Sequence, residues 1–247
     1  MSSPILLGVA APYAPAIHPT EVSRRALWRF WCIGMTIYLL AMAGLMGLEG
    51  DFVIADRLYA WQGHTWQFRQ QWLTTSFIHE GGKRLSWLMW LGTLLFTLMV
   101  WRRPAWRTWR RPLLVLLGSV LLSTGVVAGI KHAVPMACPW DLQRYGGGRA
   151  YIGLFDVWPT GWPRYRCFPA AHASSGFAWI ALYFFCLQQA PPWRRWGLGA
   201  GLLLGGIFSI SQELRGAHFL SHDLTTVMIC WTVALALHTG ARIGDRA

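Results

Sequence analysis

Charge is what this chain has least of. Only 13% of its 247 residues are Asp, Glu, Lys or Arg, against 54% hydrophobic residues. Soluble domains carry about 25% charged residues, so an ordinary soluble domain is excluded and a membrane protein is expected. Acid is scarcer than base, 10 residues against 22. Histidine is also sparse, at eight residues. His218 and His222 form a His-x3-His pair, but a membrane di-iron oxygenase needs such boxes several times over. A rhomboid-like serine protease built on Ser175-Gly176 lacks the glycine ahead of its serine. There is no internal repeat and no low-complexity tract, so the chain reads as one domain.

What it has is long apolar runs. About 20 apolar residues span the hydrocarbon of a bilayer, and six such runs are expected, near 26–48, 85–101, 112–130, 173–190, 196–211 and 219–238. The fold class is therefore all-α: a polytopic membrane protein of six transmembrane helices over 23–247, preceded by a mobile N-terminal tail at 1–22. The first run is too long for the apolar core of a cleaved signal and is read as a retained span.

The net charge of +12 invites a nucleic-acid reading, and its distribution removes it. With the N-terminus inside, Arg24, Arg25, Arg29, the arginines of the 102–111 stretch, Arg194, Arg195, Arg242 and Arg246 all face the cytoplasm. Only Glu21 and Asp245 oppose them there. This is the positive-inside bias. It expects both termini in the cytoplasm, in a bacterial-type inner membrane, with the loops 49–84 and 131–172 on the periplasmic side. Trp28, Trp31, Trp101, Trp106, Trp109, Trp193 and Trp196 lie near span ends, as an aromatic belt does.

Cys32, Cys186 and Cys230 fall in spans, while Cys138 and Cys167 share the outer loop. An oxidising exterior permits a bridge between them. Closing that loop of about 30 residues stabilises by roughly 3–4 kcal/mol in the chain-entropy model.

Three polar stretches then stand at the same expected face: Lys131–Pro139, Phe168–His172 and Ser211–Asp223. Ionisable residues at membrane depth are costly and mark function by default. A lysine, arginines and histidines together suit a phosphate. Metal-free phosphoryl transfer needs cations for the equatorial oxygens, an in-line nucleophile and an acid for the leaving oxygen. Histidine can serve as either of the last two. His172 opens one span and His218 another, and helix N-termini seat anions.

At these residues the chain resembles the type 2 phosphatidic acid phosphatase superfamily, in its integral membrane branch. The family pattern is Lys-x6-Arg-Pro, then Pro-Ser-Gly-His, then Ser-Arg-x5-His-x3-Asp. Here the matching stretches are Lys131-x6-Cys138-Pro139, Pro169-Ala170-Ala171-His172 and Ser211-Gln212-x5-His218-x3-His222. The resemblance implies that His218 is the nucleophile, His172 the general acid and Lys131 a phosphate ligand. It also implies that no cofactor or metal is used. Cysteine, glutamine and histidine stand where the family has arginine, arginine and aspartate. Arg215 can restore one guanidinium, and Arg166, Arg149 or Arg144 the other. Either Asp223 or His222 orients His218; Asp223 is the carboxylate, whereas His222 shares the His218 helical face. The function implied is hydrolysis of a phosphomonoester or pyrophosphate of a lipid whose headgroup faces the periplasm. Undecaprenyl pyrophosphate, phosphatidylglycerol phosphate, phosphatidic acid and a lipid A phosphate are the candidates. The alternatives are a lipid phosphotransferase and a headgroup-binding protein or transporter without activity.

Overall fold

A computed structural model describes residues 22–243, with side chains to 241. The expected tail, apart from Val22, lies outside the described residues. Those residues form helices and no strands, with two isolated bridges, Met136–Arg166 and Leu142–Arg149. The helices are α1 (Arg24–Met42), α2 (Gly50–Trp61), α3 (Gly81–Trp101), α4 (Arg107–Ala133), α5 (Ala171–Phe177), α6 (Leu182–Gln189), α7 (Arg194–Leu214) and α8 (Leu220–Ile243). Five stretches are long and apolar enough to cross a membrane: Arg24–Gly47, Leu73–Trp101, Pro104–Ala133, Pro191–Leu214 and Leu220–Ala241. That is what a polytopic membrane protein requires.

The fourth expected run, 173–190, is not among those five. It is α5 and α6 joined by a 3-10 turn at Ala178–Ala181, and it forms the centre of the bundle. Ala173, Ala178, Trp179, Ile180, Ala181 and Phe184 are all buried there, packed with Leu116 and Val120 of α4 and Ala234 and Leu235 of α8. The glycine-rich α7 lies against this segment. An added Cβ at Gly176 would sit 2.5 Å from the Gly205 Cα, and one at Gly197 would sit 2.9 Å from the Leu182 backbone. Gly197, Gly201 and Gly205 recur every fourth residue, so they form one stripe that admits the neighbouring backbone. The glycines that weaken α7 as an apolar run are what dock it.

Local chemistry explains the helix ends. Ser23 caps α1, its side chain accepting from the Ala26 amide at 3.2 Å. Pro112 falls inside α4 and has no N–H to give the Thr108 carbonyl. Gln189 Nε2 donates to that carbonyl instead, at 3.2 Å.

The second crossing begins earlier than the sequence suggests. A π-helical stretch, Leu73–Glu80, runs directly into α3, so the loop expected to reach residue 84 ends near 72. The charged cluster that reads as loop is paired within the fold. His79 meets Gln212 of α7 at 2.8 Å, and Lys83 donates to Glu80 at 3.3 Å. Outside the bundle, α2 and the 131–170 loop form a small second core of Ala55, Ala137, Leu142, Tyr145 and Phe219. Asp51 of α2 ties this cap to the bundle, because its Oδ1 accepts from the Ser221 amide, the second residue of α8, at 3.1 Å.

Candidate active site

Four helix ends meet beneath that cap: the last turn of α4 with Lys131, the first of α5 with His172, the last of α7, and the first of α8. His218 sits in the tight turn between α7 and α8. Gly216 makes this turn at φ +69, and a side chain there would run into the Trp66 ring. The turn is fastened from two sides. Trp140 N–H donates to the Gly216 carbonyl and Ala217 N–H to the Gln212 carbonyl, both at 2.9 Å.

His218 Nδ1 lies 3.3 Å from His222 Nδ1 and 3.7 Å from Cys167 Sγ. A single proton can bridge the two imidazoles. With it on His218 Nδ1, the opposite nitrogen of His218 keeps its lone pair. Burial, then the positive charge of Lys131 and the neighbouring imidazoles, holds the His218 pKa well below its ordinary value. The ring is therefore neutral, as a nitrogen nucleophile must be. His222 is fully buried between the Phe168 and Phe219 rings, whose centroids lie 5.3 and 5.6 Å away. Asp223 lies on another face and is directed at Ser209 and Glu213 of α7. The structure thus puts the imidazole, rather than the carboxylate, against His218, because one residue further along α8 a step of about 100° carries Asp223 off that face.

His172 is buried, and neither ring nitrogen has a hydrogen-bond partner among the described residues. A buried polar group without a partner is expensive in a folded protein, so each nitrogen calls for a partner that the described residues do not supply. The ring stacks between His79, at 4.2 Å, and Phe208, at 4.8 Å. His79 reaches it because Gly82 lets α3 press onto Phe208.

The cations divide into two groups. Lys131 lies in electrostatic range of His218, His172, His222, His79 and Lys83. Arg215 acts on His172 and His79, and its Nη1 donates to Gln212 Oε1 at 3.2 Å. Gln212, in the position where the resemblance expects arginine, thereby bridges Arg215 and His79. Arg144 is engaged elsewhere. Its Nε and Nη2 donate to both oxygens of Asp56, at 2.8 and 2.5 Å, and the guanidinium covers the Phe52 ring. That arginine also holds the Asp56 carboxyl below its ordinary range. Arg149 lies over Tyr165, and Arg166 is exposed with its backbone bridged to Met136. Sequence reasoning did not assign Lys83, Gln212 or His79 to the site, and it left the first and last of these in the loop 49–84. The signal was a polar cluster inside an otherwise apolar helix. Cys138 and Cys167 are joined, their Cα atoms 5.2 Å apart, which pins the end of the first motif beside the second.

The family model of the PAP2 superfamily covers residues 112–242. The chain belongs to the PAP2 superfamily. No curated protein and no solved structure matches it. PAP2 members are phosphatases acting on phosphate esters, often of lipids, and in this chain His172 and His218 stand where its helix ends meet. Beside them, a cavity of about 410 Å3 opens between α3, α4 and α5, lined by Trp87, Trp90, Leu121 and Thr124 and bordered by Lys83.

Proposed function

We propose that this PAP2 member is a metal-independent lipid phosphatase working through a phosphohistidine on His218. His218 Nε2 attacks phosphorus in line, and the bond to the leaving oxygen breaks. His172 gives that oxygen its proton. Water then cleaves the phosphorus–nitrogen bond, with His172 taking the proton back. Lys131 and Arg215, assisted by Lys83, hold the equatorial oxygens, and His222 keeps His218 in the reactive tautomer. The observation that carries the reading is the meeting of Lys131, His172 and His218 beneath one cap, with both His172 nitrogens unpartnered. The lipid class is supported by the apolar cavity next to Lys83, which fits an acyl or prenyl chain below a bound headgroup.

The enclosed α5–α6 segment is the sixth crossing in this reading. The positive-inside count puts the termini in the cytoplasm and the site at the periplasmic face of an inner membrane. The substrate is a phosphomonoester or pyrophosphate of a lipid, of the undecaprenyl, phosphatidylglycerol phosphate, phosphatidic acid or lipid A type.

The test uses the purified full chain in detergent with chelator present, against a panel of these lipids and matching water-soluble phosphates. Phosphate release from a lipid, together with an acid-labile phosphoenzyme lost in His218→Ala, is expected. Normal release by His218→Ala would overturn the nucleophile. Headgroup binding without release would favour the binding-protein alternative, and phosphate appearing on a second lipid would favour the phosphotransferase.

A further inference from the structure

Cys167, His218 and His222 are all buried, and their ligand atoms lie within 4.8 Å of one another. The two Nδ1 atoms are 3.3 Å apart, and the sulfur is 3.7 Å from His218 Nδ1. A tetrahedral zinc ion with bonds of about 2.05 Å to nitrogen and about 2.3 Å to sulfur separates its ligands by about 3.3 Å and about 3.6 Å. Both short edges of the cluster match. We infer that the reduced protein holds a divalent zinc-class ion on Cys167 Sγ, His218 Nδ1 and His222 Nδ1, a site closed while Cys167 is bonded to Cys138.

The disulfide is what gates it. A bridged sulfur carries no thiolate and is a poor ligand. Reduction by a dithiol delivers two electrons and two protons across the Cys138–Cys167 bond. Two thiols form, and the dithiol ends as its own disulfide. Freed from Cys138, Cys167 can turn its sulfur toward the imidazoles. Zinc then displaces the thiol proton, which leaves to solvent, and the proton shared by the two Nδ1 atoms moves to His218 Nε2, so that both imidazoles bind as neutral ligands through Nδ1. Three protein ligands leave the fourth position for water. Lys131 opposes a divalent ion electrostatically, and the thiolate offsets part of that charge. With zinc on its Nδ1, His218 no longer has His222 as its hydrogen-bond partner, so reduced enzyme should be inhibited by zinc. That consequence rests on the proposed function; the binding itself does not.

The experiment titrates cobalt(II), a spectroscopic stand-in for zinc, into full-length Cys138→Ser protein in detergent without reductant. Thiolate-to-cobalt charge-transfer absorption at one ion per chain is expected. It should be lost in Cys138→Ser/Cys167→Ser and weakened at least tenfold in affinity in Cys138→Ser/His222→Ala. Cys32, Cys186 and Cys230 are common to all three variants and set the background. Matching gel-filtration and thermal-unfolding profiles establish that each variant is folded. The wild type should take up zinc only after treatment with a phosphine reductant. Absorption of equal strength in all three variants, or none in folded Cys138→Ser, would overturn the inference. Cobalt binding without zinc inhibition would leave the site standing and count against His218 as nucleophile.

Discussion

Replacing His222 by aspartate tests the orienting contact directly. Histidine Nδ1 and aspartate Oδ1 both hang one bond beyond Cγ, so the substitution puts a carboxylate oxygen where Nδ1 stands, 3.3 Å from His218 Nδ1. In the proposed reaction the His218 ring becomes cationic as it acquires the phosphoryl group. The gross attraction of a carboxylate at that distance is about 5 kcal/mol at an effective dielectric of about 20. Most of this is spent on desolvating the new charge in a fully buried position. The net gain is the difference between a charge-assisted and a neutral hydrogen bond, about 1 kcal/mol. Because about 1.4 kcal/mol is tenfold in rate, kcat should rise about fivefold in His222→Asp. His222→Ala leaves His218 only its Cys167 backbone contact and should lower kcat by about a hundredfold or more. The assay is phosphate release from the best lipid of the panel, with thermal unfolding in the same detergent as the folding control. A folded His222→Ala of unchanged kcat, or a folded His222→Asp with none, refutes the orienting role.

Two further outcomes follow from other parts of the fold. Gly205→Val forces a branched side chain into the Phe177 ring and should destabilise by about 1–3 kcal/mol or more, read as a lowered unfolding temperature; an unchanged transition would contradict the glycine docking. Folded His218 resists protonation while the unfolded chain takes up its proton near pH 6.5. Stability from neutral His218 is therefore whole above about pH 6.5 and is lost as pH falls toward the lower folded value. Unfolding temperature should drop between about pH 7 and pH 5, and His218→Asn should flatten that drop; an equal slope in both proteins would refute the assignment.

Five of the six expected apolar runs were legible because length and composition alone set them, and His222 meets His218 although His218 stands in the turn before α8. Of the two residues that the sequence offers for orienting His218, Asp223 has the more suitable charge, but it comes one residue late and is directed at α7. The start of the second crossing was hidden because the charges of His79, Glu80 and Lys83 read as loop until their partners are known. Gln212, the partner of His79, is 133 positions away. Arg144 could not be removed from the candidate phosphate ligands by sequence alone, because Asp56, which engages it, lies 88 positions upstream.

Asp51 has a consequence for engineering. The carboxylate that satisfies the Ser221 amide comes from 170 positions earlier, on a helix that lies in sequence between two candidate spans. Burial pushes its pKa up, although the Ser221 contacts oppose this. Exchanging the 49–72 segment with that of another PAP2 member, in the hope of altering selectivity alone, would remove the anchor of the turn that presents His218. Such a chimera must carry the aspartate with it or lose turnover along with preference.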